Sequence, residues 1–169
     1  IDTVTAICSN LQADIRNTEK ALLLLRVLEF CADDDGFTDI MFRTMAEQFN
    51  IPDSQYHDFM DFVNNKSTEH VMLHQLEGFD GQLKTLLDPI TGLLLFTYMG
   101  NDTVLLNDVP VLSGAYQVWI QSSVLKGKNG TPVYYSSIIS KYEHTDDEVQ
   151  AVEFCGRDIN FRFPNSDNG

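Results

Sequence analysis

The hydrophobic spacing of this chain changes period once, near Asn64-Asn65, and that change constrains the fold more than any single residue does. Before it, apolar residues recur three and four apart with turn signals between the runs, as amphipathic helices require. After it, short alternating runs are punctuated by Gly, Asn, Asp and Pro, as strands and hairpins require. The expectation is an α+β chain. A small helical bundle occupies 1–65, an antiparallel β-rich domain, roll or sandwich, occupies 66–142, and an acidic linker with a first further strand occupies 143–169.

In the helical half, one helix is predicted from Thr3 to about Ile15, and a second after Asn17 or Thr18 with Ala21, Leu22, Leu25, Leu28 and Phe30 on its apolar side. The second stops near Asp33-Asp34-Asp35-Gly36. Thr38 or Asp39 is placed to cap a third, through Met41, Phe42, Met45 and Phe49, which Asn50-Ile51-Pro52 ends. Asp53 or Ser54 opens a fourth, with Tyr56, Phe59, Met60 and Val63 as its stripe. In the other half, strands are predicted at 69–76, 81–87, 93–99, 103–106, 116–125, 133–139 and 149–163.

Charge excludes some partners. Eleven Lys and Arg against 25 Asp and Glu leave a net charge of −14, too little cationic surface to displace counterions from nucleic acid. Anionic membranes repel such a chain, and no apolar run approaches the roughly 18 to 20 residues of a spanning helix. Cys8, Cys31 and Cys155 are odd in number, widely spaced and free of any CxxC pattern, and are read as reduced thiols in a cytoplasm. Both ends are read as those of a piece of a larger protein. Ile1 is no natural initiator, and the run Ile159, Phe161, Phe163 with its Pro-Asn-Ser-Asp-Asn-Gly turn asks for a sequel.

Two readings stay open for the acidic turn. Asp33, Asp34 and Asp35, with Asp39 one turn on, offer oxygen ligands suited to Ca²⁺ or Mg²⁺. The preferred alternative is a helix end followed by acids near the positive end of the next helix. An EF-hand fails on register: with Gly36 at the sixth loop position, Cys31 and Phe42 fall where carboxylates are required. His70 and His74 share a strand face but stand about 13 Å apart, too far for one ion, so they are read as ordinary histidines. Ser136, Ser137, His144 and Asp146 supply hydrolase residue types without any elbow to place a nucleophile, and the aspartates beside Cys31 blunt it as a thiolate. Tyr98, Tyr116, Trp119, Tyr134, Tyr135 and Tyr142 are read mostly as packing, with an interface among a subset as the alternative. Lys126-Gly127-Lys128-Asn129-Gly130 lacks the P-loop spacing and reads as a hairpin turn.

Two stretches carry resemblances. Cys31-Ala32-Asp33-Asp34-Asp35-Gly36-Phe37-Thr38, the helix after it, and Phe49-Asn50-Ile51 resemble the TerB-like family of acidic helical domains over residues 18–64, departing from it at Phe42 and Arg43. Tyr98-Met99-Gly100, Val104 to Asn107, Pro132 to Ser140 and Ile159 to Asn165 are similar to the region before the ATPase domain in ABC-type ATP-binding proteins of Bacteroides-like bacteria. The resemblance implies a non-catalytic regulatory or interaction region. ATP and Mg²⁺ would belong to a downstream ABC ATPase domain of the same chain, with a membrane-protein subunit as a further partner. It also implies a cytoplasmic location, at the inner membrane only through the parent transporter. The competing expectation is a stand-alone acidic module that senses divalent metal or serves a stress response.

Overall fold

The computed structural model describes residues 2–31, 37–127 and 132–143. Helices α1 (Asp2–Leu11), α2 (Asn17–Cys31), α3 (Phe37–Gln48) and α4 (Asp53–Val63) come first. Strands β1 (Val71–Gln75), β2 (Gly81–Leu87), β3 (Leu94–Gly100), β4 (Val104–Leu106), β5 (Val109–Val111), β6 (Gln117–Trp119), β7 (Val124–Gly127) and β8 (Val133–Tyr134) follow, and helix α5 (Tyr135–Glu143) closes the described chain. The architecture is α+β, with helices first and antiparallel sheets after them. Among the described residues, no helix is long and apolar enough to cross a membrane.

Local chemistry sets the helix ends. The Arg16 N–H donates to the Glu19 carboxylate at 2.6 Å, one arm of a capping box that starts α2, and the tight turn at Asp14 and Ile15 on the Leu11 carbonyl ends α1 four residues earlier than expected. Helix α3 ends in a left-handed Asn50 (φ 53). Asn50 N–H reaches the Glu47 carbonyl and Ile51 N–H the Ala46 carbonyl, the paired bonds of a Schellman ending, and Pro52 prevents continuation. Helix α4 repeats the device, with Asn65 at φ 58 and Lys66 N–H on the Asp61 carbonyl. Helix α3 begins at Phe37, ahead of the expected caps, and the Asp39 carboxylate accepts the Tyr56 hydroxyl at 3.0 Å.

The strands form two antiparallel sheets, ordered β1-β2-β3-β6 and β5-β4-β7-β8. Asn107 and Asp108, both at positive φ, make the two-residue turn that pairs Leu106 with Val109. At Gly100, paired with Gly81, any Cβ would collide with the Asp80 carbonyl and the Tyr98 ring. The first sheet is covered on both sides. Val71, Leu86 and Leu95 join Leu24, Leu28, Phe42, Phe59 and Phe62 in one apolar cluster. Leu83, Leu94, Phe96, Tyr98 and Trp119, on the opposite face, join Val104, Leu125 and Ile138 in a second. Each such side chain stabilises by about 2 kcal/mol on burial. Helix thus gives way to strand between Val63 and Val71, where a boundary was expected, and one apolar layer runs across that point.

Three strand expectations change. The run from Val133 to Ile139 holds only the short β8 before turning into α5, because Tyr135, Ile138, Ile139 and Tyr142 fall at helical spacing and pack on the second cluster. The run from Tyr116 to Leu125 divides into β6 and β7, which belong to different sheets, at a turn closed by Ser123 N–H on the Ile120 carbonyl. Strand β5 forms around Pro110 at a sheet edge, where a missing N–H costs nothing. The segment 149–163 lies outside the described residues.

Candidate functional site

Helices α1, α2 and α3 leave a groove between them of about 280 Å³. Helix α1 supplies Val4, Ile7 and Leu11 at helical spacing, α2 supplies Leu23 and Val27, and α3 supplies Met41 and Met45. Cys8 and Phe49 form its floor at 2% exposure each. Every lining side chain is apolar. The groove exists because α2 is apolar around more than one face: Ala21, Leu24, Leu25 and Leu28 are buried, and among the described residues Leu23 and Val27 are only partly covered. At the rim, Ile7 is 53% exposed and Leu11 36%. Ser9 and Gln48 bridge α1 to α3 at 3.1 Å.

Helices α1 and α3 expose three acids, Asp2, Asp39 and Glu47, against one base, Arg43. Burial pushes the Cys8 thiol up, so it serves as wall and not as nucleophile. Methionine thioethers adapt their shape to an apolar occupant, which suits Met41 and Met45 to a binding surface.

A second polar feature joins the bundle to the sheet. Lys84 of β2, 1% exposed, donates to the Asn65 side-chain carbonyl. Its ammonium lies 5.0 Å from the Phe62 ring centroid and 5.7 Å from that of Tyr116. Burial without a carboxylate partner pushes its pKa down to about 8. On the other face of the same strand, Thr85 bonds His74 Nε2 at 2.7 Å and the Tyr142 hydroxyl at 2.6 Å, and Lys141 Nζ stands 3.2 Å from His74 Nδ1. His74 is held down to about 4 by burial and by Lys141, and is neutral at pH 7. Burial holds the Tyr142 phenol up at about 12. Thr85 is fully buried, so this chain of hydroxyls and imidazole pins α5 to the sheet.

The sequence candidates separate. Asp33, Asp34 and Asp35 lie outside the described residues. Asp39 is exposed and engaged by Tyr56, whose phenol is raised to about 12 by burial and by that carboxylate. Among the described residues, no group of three or more His, Cys, Asp or Glu is placed to hold a metal ion. His70 pairs with Asp58 at 3.1 Å while His74 is interior. Ser136 and Ser137 are exposed on α5, and His144 and Asp146 lie outside the described residues. Of the aromatic set, Tyr98, Tyr116 and Trp119 are core, Tyr135 and Tyr142 pack against it, and Tyr134 is 51% exposed. Lys126 ends near Asp108 at 3.2 Å. Sequence reasoning missed the groove, whose one readable sign was four consecutive leucines in α2, more than a single stripe can bury.

Together these features define, among the described residues, a helical bundle with an apolar groove, backed by a sheet with buried polar side chains on both faces. No protein-family model, curated protein or solved structure matches the chain.

Proposed function

We propose that this chain is a non-catalytic accessory region of an ABC-type ATPase, and that it docks an amphipathic, basic-flanked helix of a partner in the groove between α1, α2 and α3. The groove carries the docking reading: its lining is apolar throughout, its rim leaves Ile7 half exposed, and the helices α1 and α3 expose three acids against one base in a chain of net charge −14. An apolar helix face fills such a groove, and basic flanks complement the exposed carboxylates. The ATPase context is supported by the resemblance of residues 98–107, 132–140 and 159–165 to the segment ahead of ABC ATPase domains. On this reading ATP and Mg²⁺ belong to that ATPase domain, and the chain itself catalyses nothing.

The docking reading is tested with a labelled amphipathic peptide of leucine and lysine, its leucine and glutamate counterpart, and a medium-chain fatty acid. The lysine peptide should bind, weaken with salt, and lose about tenfold in affinity with Ile7→Glu. Preference for the fatty acid, or indifference to Ile7→Glu, refutes it. The ATPase context is tested by the reading frame: a G-x-x-x-x-G-K-[ST] loop within about 60 codons after Gly169 supports it, and a stop codon there sinks it.

A further inference from the structure

A cleft of about 100 Å³ opens where the start of α2 meets the turn between α3 and α4. Its polar lining is Asn17, Lys20, Asn50 and Gln55, and Pro52 and Ile90 border it. Lys20 is 9% exposed, yet among the described residues its ammonium makes no ion pair and no hydrogen bond. It stands near the start of α2, one residue after Glu19. The ammonium keeps contact with solvent where the side chain lines the cleft, so a cation with no carboxylate partner is presented there to an anion from outside.

The surroundings supply the remaining donors. Helix α4 starts at the cleft with Pro52 as its N-cap and no side-chain cap, which leaves its first N–H groups unclaimed by any side chain. The side-chain amides of Asn17 and Asn50 have no hydrogen bonds among the described residues. Asn50 is held in its left-handed conformation by the Schellman bonds, so its position is fixed before any ligand arrives. Asp53 stands in the first turn of α4 and Glu19 beside Lys20, but neither lines the cleft, and Glu19 accepts from Arg16 N–H. Asp88, bonded to the lining residue Gln55, is occupied. It accepts from Gln55 Nε2 at 2.6 Å, from Ile90 N–H at 3.1 Å and from the Thr91 hydroxyl, and it does not line the cleft.

We infer that this cleft binds a small tetrahedral oxyanion, the phosphate of a free ion or of a phosphate monoester. Lys20 supplies a charge-assisted hydrogen bond, and the start of α4 and the two asparagine amides supply neutral ones. The volume admits one oxyanion with little else, so the rest of a monoester would lie outside. This site is separate from the apolar groove and does not depend on the ATPase context.

The test is an amide ¹⁵N titration of the chain with inorganic phosphate, glycerol phosphate and, as an ionic-strength match, chloride. Phosphate should shift the side-chain amides of Asn17, Asn50 and Gln55 saturably while chloride leaves them in place, and Lys20→Met should weaken binding about tenfold or more. A tighter fit for glycerol phosphate assigns the site to a phosphorylated small molecule, and an equal or tighter fit for phosphate assigns it to the free ion. The absence of saturable shifts, equal shifts with chloride, or unchanged affinity in Lys20→Met overturns the inference. Asn50→Gly provides a second arm, since glycine adopts φ 53 freely. It should fold and bind phosphate more weakly, and unchanged affinity in that variant also counts against the site.

Discussion

Replacing Lys84 with methionine keeps the length of the side chain and removes its charge from the seam between bundle and sheet. The ammonium there has one amide carbonyl and two aromatic faces for company, and no ion pair among the described residues. Its folded pKa of about 8 lies below the usual 10.5, so the unfolded chain holds the proton more tightly than the native one. Below about pH 8 both states are protonated and the native state carries the full penalty, about 3 kcal/mol at about 1.4 kcal/mol per pH unit. As pH rises towards 10.5 that penalty is lifted, and stability climbs. About 2 kcal/mol should return between about pH 7.5 and 9.5. The window closes there because Tyr56 and Tyr142, raised to about 12, oppose the trend once unfolded tyrosines ionise. Urea unfolding followed by the fluorescence of Trp119, the single tryptophan and 1% exposed, reads this directly. In Lys84→Met the climb should vanish. At neutral pH the variant should lie within about 1 kcal/mol of the wild type, because the lost cation–π contacts and Asn65 bond offset the relieved burial. A pH slope equal to the wild type's would refute the reasoning.

Thr97 carries a buried hydroxyl with no hydrogen-bond partner, so Thr97→Val should stabilise by about 1 kcal/mol in the same urea titration, and a loss of stability would contradict the assignment. His74, with a folded pKa of about 4 against the usual 6.5, stabilises fully above about pH 6.5 and loses up to about 3 kcal/mol as pH falls towards 4. Proton NMR should show its ring signals fixed from neutral pH to about pH 5, and a midpoint near 6.5 would show that the imidazole is solvated.

Where local chemistry decides, the chain was readable. The Asn50-Ile51-Pro52 stop, the break at Asn64-Asn65 and the Asn107-Asp108 turn all appear in the fold, because asparagine and aspartate tolerate left-handed backbone where apolar neighbours do not. Strands β2 and β3 were found almost to the residue. Helix α5 was not, since Tyr-Tyr-Ser-Ser-Ile-Ile favours strand by composition and only its packing on the second apolar cluster selects the helical spacing. The division of β6 from β7 was equally hidden, because which sheet a strand joins is not written in its own residues. The groove depends on three helices meeting, and Lys20 draws notice only once α4 is placed beside α2. The aspartate turn drew attention by composition alone, and its three consecutive members lie outside the described residues.

Strand β2 has four consecutive interior residues, Leu83 to Leu86, pointing alternately to the helices and to the second sheet. Its two sides therefore answer to separate sets of neighbours: Lys84 to Asn65, Phe62 and Tyr116, and Thr85 to His74 and Tyr142. Inserting or deleting one residue within this strand would exchange the sides, driving the ammonium into the compartment built for Phe96 and Trp119 and leucines into the one built for the ammonium. Both faces of β2 thus resist a change of length at once, and substitutions at positions 84 and 85 are felt by different residues far away in sequence.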